Sequence, residues 1–280
     1  MKPLFHLLLG VLAVTVSSSA MASGKKPPKY PEVVQIFSSV SFDGRSPWPG
    51  RCTGTVIAPR FILTASHCVR HFNHEKFNGQ VVWYTDMQNH TVPDQTARPD
   101  QVYIQVAGGI GGHKLHPTVV HVSDAAVPVN RPDLSLDYVE QDLAILEFGQ
   151  DLPYAPRAIS DEDAVVGLPV VMLGYGRHGG GEISPSSYQG HNTVDQVELD
   201  MVVTDGAAAA CDDPAAHVND WSICPGDSGG PLLNVHNGKI MGVASASGVT
   251  PAGRAHSIYI DVTEGPGADF VHQVTGLSGF

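Results

Sequence analysis

The feature that most restricts the fold of this 280-residue chain is the rhythm of its apolar runs. Short runs such as Thr53-Gly54-Thr55-Val56-Ile57-Ala58 and Phe61-Ile62-Leu63-Thr64-Ala65 are cut by Gly, Pro, Asn and Asp. Strand-length runs between turn formers build sheets, and helix-period stretches are scarce here. An all-β architecture follows. Further strands are expected at 33–37, 80–84, 101–106, 118–122, 142–148, 168–175, 193–204, 231–235, 240–245 and 256–262, with a short helix at 268–274. The length is that of about two domains, and Pro153, Pro156 and a charge cluster mark 149–167 as the connector. Loops at 85–100, 107–117 and 123–141 are long enough to serve binding or surface roles.

Lys2, the apolar run from Leu4 to Val16 and the small-x-small site Ala20-Met21-Ala22 read as a secretory signal over residues 1–22. A polar, proline-rich leader or propeptide follows at 23–31. The apolar run is short for a membrane span, and no later segment reaches about 18 apolar residues. A secreted location, extracellular or periplasmic in a Gram-negative host, agrees with four cysteines forming two disulfides. The net charge of −12 argues against a nucleic-acid partner and against anionic membrane surfaces. Asp161-Glu162-Asp163 and Asp212-Asp213 read as solvated loop charge. Asn89-His90-Thr91 is a glycosylation sequon, meaningful in a eukaryotic host. His71, His74 and Glu75 lack a fourth ligand at a recognisable spacing, and Gly108 to Gly112 lacks the helix of a nucleotide loop. Neither a metal nor a cofactor is expected.

Against that background the stretch Cys224-Pro225-Gly226-Asp227-Ser228-Gly229-Gly230-Pro231 carries chemistry. Its glycines let the backbone turn tightly and aim successive N–H groups into one small pocket where an oxyanion can develop. A serine hydroxyl is a poor nucleophile alone, so it needs a base and an orienting acid. Thr64-Ala65-Ser66-His67-Cys68 supplies the base, and Asp142-Leu143-Ala144-Ile145-Leu146 the acid, with Asp133 and Asp137 close by in sequence.

In the order His, Asp, Ser, these motifs resemble the chymotrypsin/trypsin-like serine endopeptidases of the secreted bacterial type, over roughly residues 31–275. The resemblance implies two antiparallel six-stranded β-barrels, at 32–150 and 151–280, with the cleft between them. It makes Ser228 the nucleophile, His67 the general base and acid, and Asp142 the group that orients the imidazole. It selects Asp142 over Asp133 and Asp137 because only Asp142 precedes the Leu-Ala-Ile-Leu strand. The N–H groups of Gly226 and Ser228 become the oxyanion donors. Cys52 pairs with Cys68, which leaves Cys211 for Cys224, an arrangement that departs from relatives whose second cysteine lies downstream of the serine.

In the family, Asp227 forms a structural ion pair with an amine freed at an Ile/Val-Val-Gly-Gly start. This chain has no such start, and Val33-Val34 falls inside the first strand. The amine of the processed chain, or an Arg or Lys side chain, is expected in its place. Ser222 matches the base of the primary specificity pocket, Ser245 to Ser247 the strand that pairs with substrate, and Ser257 the remaining wall. A polar, uncharged pocket accepts aromatic or medium apolar side chains, and acidic ones with His256 nearby. The chain is thus expected to be a monomeric secreted endopeptidase acting on extended polypeptides. The alternative is a non-catalytic binding or adhesion protein on the same fold. An α/β-hydrolase esterase would carry its motifs in the order Ser, Asp, His.

Overall fold

A computed structural model describes residues 29–40, 50–72, 74–77, 80–83, 95–106, 113–130, 136–177, 187–198, 200–207, 211, 221–250 and 252–278. The signal at 1–22, the leader up to residue 28, Asn89, the glycine run 108–112 and Asp133 lie outside the described residues, as do the side chains of His74, Glu75 and Asp137.

In chain order the strands are β1 (Val33–Ser38), β2 (Gly50–Ala58), β3 (Phe61–Thr64), β4 (Arg70–His71), β5 (His74–Phe77), β6 (Gln80–Trp83), β7 (Gln95–Thr96), β8 (Val102–Val106), β9 (His113–Leu115), β10 (Val119–Val122), β11 (Val127–Asn130), β12 (Leu136–Glu140) and β13 (Ala144–Glu147). They continue as β14 (Pro169–Gly174), β15 (Tyr188–Thr193), β16 (Gln196–Glu198), β17 (Met201–Ala207), β18 (Pro231–Asn234), β19 (Ile240–Val249) and β20 (Arg254–Asp261). One helix, α1 (Gly265–Thr275), closes the described chain. It starts with Pro266 in its first turn and stops at Gly276 in the left-handed conformation, φ 70°.

The strands form two curled antiparallel sheets, the architecture expected of a chymotrypsin-like fold. Their orders are β10-β13-β3-β2-β1-β8-β9 and β15-β14-β18-β19-β20-β17-β16. Each has seven strands where six were expected. The loop expected over 107–117 supplies β9, which pairs with β8 and satisfies backbone groups that an open edge would leave bare. The single strand expected over 193–204 is broken near Asp195 and at the turn at Asp200, so that it holds β16 and the first part of β17, while β15 precedes it almost entirely. The 123–141 loop folds into the β11–β12 hairpin. The two sheets share one core, in which Val56, Leu63 and Ile145 of the first join Ile240 and Ile260 of the second.

Candidate active site

Antiparallel pairing decides which residues meet. β3 pairs with β13 so that Thr64 faces Ala144. The residue three beyond Thr64 and the residue two before Ala144 therefore emerge at the same end of the sheet, and these are His67 and Asp142. His67 sits in a single 3-10 turn, Ser66–Cys68, anchored by the Cys52–Cys68 disulfide. Its Nδ1 lies 2.6 Å from Asp142 Oδ2, and its backbone N–H donates to Oδ1 at 2.9 Å. Ser66 Oγ donates to Oδ1 at 2.5 Å, and Ser245 Oγ, from β19 of the second sheet, donates to Oδ2 at 2.6 Å.

Asp142 is fully buried. Burial pushes its carboxyl upward, but the His67 charge and the hydrogen bonds from His67, Ser245 and Ser66 outweigh that and hold it below the usual carboxylate range. Burial in turn works to lower His67, and Asp142, by charge and hydrogen bond, overrides this and raises it above its ordinary value. The residue before the acid, Gln141, takes a left-handed φ of 47°, and its side-chain N–H donates to Asp200 across to the second sheet. A non-glycine residue in that region costs about 1–2 kcal/mol, so the fold spends energy on aiming Asp142.

The same logic brings up the serine. β18 and β19 pair so that Pro231 faces Val243. The turn before β18 and the continuation of β19 then share an end, which places Ser228 near Ser245. Cys224-Pro225-Gly226-Asp227 forms a turn closed by Asp227 N–H to Cys224 O at 2.9 Å, with Gly226 at φ 104°. Proline at the second position and a positive φ at the third are the type II pattern. Gly229, at φ 81°, lies against the first sheet so closely that a Cβ there would come within 2.1 Å of Thr64 Oγ1 and 2.3 Å of Thr53 O. The Ser228 carbonyl accepts from Thr53 N–H at 2.8 Å and lies 3.6 Å from Cys68 Sγ, next to His67 in sequence. The N–H groups of Gly226 and Ser228 have no partner among the described residues.

Asp227 has a neighbourhood of another kind. Its Oδ1 accepts from Gly176 N–H at 2.7 Å and its Oδ2 from Cys224 N–H at 2.9 Å. No cation pairs with it among the described residues. Burial pushes its carboxyl up to about 6, against the pull of those two hydrogen bonds. It fronts a tight pocket lined by Gly174, Gly176, Tyr188, Trp221 and Tyr259, with room for roughly one water molecule.

The expected pocket residues divide. Ser222 and Ser257 are both buried, with Ser257 Oγ accepting from Ile223 N–H at 3.1 Å. Ser247 lies directly opposite Ser257 on the neighbouring strand. Ser245, expected on the strand that pairs with substrate, also turns its hydroxyl to Asp142. The cause is a bulge between Ala244 and Ala246 that takes Ser245 out of register and re-aims its side chain. His256 is held by Asp205, Nδ1 to Oδ1 at 2.8 Å. Both disulfides, Cys52–Cys68 and Cys211–Cys224, are present. A His67 nitrogen and the sulfurs of Cys52 and Cys68 lie within 4.8 Å of one another, but the sulfurs are bonded to each other and offer no thiolate to a metal.

Sequence reasoning missed Thr53, Ser66 and Gln141. Thr53 Oγ1 donates to Gly226 O at 2.9 Å and accepts from Tyr175 N–H at 3.0 Å, stitching the turn before Ser228 to the first sheet. The available signal was a polar residue inside a strand otherwise buried.

A family model described as "Trypsin" matches residues 33–265. Human Kallikrein-2 is 27% identical over 206 residues, 69% of each chain. Among solved structures, the scabies mite inactivated protease paralogue S-I1 aligns with a TM-score of 0.58 at 17% identity, over 90% of this chain and 97% of its own. Human heparin binding protein aligns at 0.52 and 20% identity, over 91% and 96%. At such identities these structures establish the fold alone.

Proposed function

The chain belongs to the trypsin family, and on that premise we propose that it is a serine endopeptidase, secreted after loss of its leader, in which His67, Asp142 and Ser228 act as a triad. Asp142 holds the Nδ1–H tautomer of His67, so proton exchange falls to Nε2, which takes the Ser228 proton as Oγ attacks a peptide carbonyl. The N–H groups of Gly226 and Ser228 receive the oxyanion, and His67 then protonates the leaving amine. Water, activated by the same imidazole, releases the acyl group and restores the enzyme. Substrate runs beside Ser245 to Ser247 as an added strand, with its primary side chain toward Ser222 and Ser257. The observation that carries this reading is the four-donor clasp on Asp142, because a buried carboxylate aimed at an imidazole is what a base of raised affinity needs.

The unpaired Asp227 is completed by the amine of the processed chain. Amino-terminal sequencing of active material tests that step, and an intact leader on active enzyme refutes it. The triad is tested by labelling with a fluorophosphonate. Wild type should label and Ser228→Ala should not, and a wild-type protein that stays unlabelled overturns the enzyme reading. A second reading, a non-catalytic binding protein, is favoured by the likeness to an inactivated paralogue and to a heparin binding protein. It gains from the same negative result.

A further inference from the structure

A row of four side chains crosses strands β2, β1, β8 and β9. Phe37 on β1 faces Arg51 on one side and Tyr103 on the other, so all three lie on one face of the first sheet. The Phe37 and Tyr103 rings stack with centroids 4.8 Å apart and planes 6° from parallel. The Arg51 guanidinium sits 5.6 Å from the Phe37 centroid, and Lys114 Nζ lies 4.2 Å from the Tyr103 centroid. His116 adds a third ring, 5.8 Å from Tyr103. Arg51, Lys114 and His116 are exposed, whereas Phe37 is only 8% exposed.

Among the described residues no carboxylate pairs with Arg51 or Lys114. Asp100, on which the His116 charge acts, is already held by Arg98 at 3.1 Å. A cation resting on an aromatic face is oriented at little entropic cost while its outward N–H groups remain open to an anion. In a chain with a net charge of −12, this row runs against the overall field.

Its position gives it meaning. Arg51 adjoins Cys52, which is bonded to the residue after His67, and two positions on Thr53 holds the Ser228 carbonyl. With a rise of about 3.3 Å per residue and about 4.8 Å between strands, the row starts roughly 10 Å from the nucleophile's backbone and runs some 14 Å further. The strand from Ser245 to Ser247 belongs to the other sheet.

We propose that this row is a docking strip for an acidic stretch of the polypeptide substrate, on the leaving-group side of the scissile bond. The proposal rests on the protease reading. An extended chain covers about 3.3 Å per residue, so the strip selects Asp or Glu from roughly the third to the seventh residue after the cut. A long polyanion fits less well, because beyond these few cations it meets an acid-rich surface that repels it.

The test uses the processed full-length protein and the double variant R51Q/K114Q, whose altered side chains are exposed and whose folding is checked by thermal melting. Three peptides share one cleavage site: one carries Glu at the third to seventh positions after the cut, one carries Gln there, and one carries Glu before the cut. At low salt the first should exceed the second by about three- to ten-fold in kcat/KM, the size expected for losing two surface charge contacts. The preference should vanish in R51Q/K114Q and at about 0.5 M salt, and a short substrate ending at the leaving group should be turned over equally by both proteins. Equal cleavage of the Glu and Gln peptides, survival of the preference in the variant, or an equal preference for Glu before the cut overturns the strip.

If nothing is hydrolysed, the protease reading fails by itself. The strip is then read by fluorescence anisotropy of the labelled Glu peptide on Ser228→Ala. Binding lost on adding R51Q/K114Q upholds it, and absence of binding refutes it. Capture of heparin or single-stranded DNA without capture of the Glu peptide overturns it in favour of a polyanion site.

Discussion

Replacing Thr53 with valine asks whether the first sheet holds the nucleophile turn in place. Thr53 is fully buried. Its backbone N–H binds Ser228 O at 2.8 Å, its hydroxyl binds Gly226 O at 2.9 Å, and its Oγ1 accepts from Tyr175 N–H at 3.0 Å. Valine keeps the shape and the backbone bond and deletes the two made by the hydroxyl. A net hydrogen bond is worth about 0.5–1.5 kcal/mol, and a buried donor left unpaired costs about 1–3. Gly226 is partly exposed, so water can re-pair its carbonyl, whereas the Tyr175 N–H loses its partner in a half-buried position. Destabilisation of about 2–3 kcal/mol follows, which for a domain of this size lowers Tm by roughly 5–10 °C.

The kinetic consequence is sharper. Complete loss of one oxyanion donor costs about 10²–10³ in rate. A Gly226 turn released from its tether should forfeit part of that, at least about tenfold in kcat, with KM little changed because the tether touches no substrate side chain. Calorimetry and steady-state kinetics on Thr53→Val and Thr53→Ser decide. Serine keeps the hydroxyl and should keep kcat. If valine leaves both Tm and kcat at wild-type values, or serine loses as much kcat as valine, the tether argument is wrong.

Other outcomes can be stated more briefly. His67 must be neutral to act as a base, and its affinity for a proton is raised, so the acid limb of kcat/KM against pH should have its midpoint above 6.5. Asp142→Asn should lower kcat by about 10⁴ with little change in melting, because the wrong tautomer is then held. In the unprocessed chain, Asp227 holds its proton up to about pH 6, against 3.8 when unfolded. The folded state therefore binds the extra proton between those values, and stability should fall as pH rises through that window, by up to roughly 3 kcal/mol. Denaturant melts from pH 4 to 7 should show the decline in the unprocessed chain and lose it in the processed one, where an ammonium group lowers the carboxyl again. Replacing Cys211 and Cys224 by serine opens a loop with a sequence separation of 13, and about 3 kcal/mol of stability should be lost, measured by the shift in denaturant midpoint.

The sequence showed the motifs and the strands because both are local. The runs that became β1, β3, β13 and β18 carry their own β-branched, apolar signature, and the cysteine count allowed few pairings. Non-local register stayed hidden. Nothing in Thr53 or Ser245 alone reveals a partner more than a hundred residues away, and the bulge that turns Ser245 toward Asp142 depends on how β19 meets β20. The stacked Phe37 and Tyr103 are likewise separated in the chain and meet only when β1 and β8 pair. Gln141 was illegible for a further reason. Glutamine is an unfavourable choice for a left-handed residue, and only its bond to Asp200 explains its presence. β9 and β15 were missed because their polar sequences follow the edges of the sheets.

The hydroxyl that Ser245 lends to Asp142 reaches across the boundary between the two halves of the molecule. His67, Asp142 and Ser66 can come together as soon as the earlier half of the chain has folded, yet the Ser245 donor and Ser228 both arrive with the later half. On the protease reading proposed above, such a chain would stay hydrolytically silent until its last strands are seated, sparing its own unfinished neighbours during the interval when they are easiest to cut.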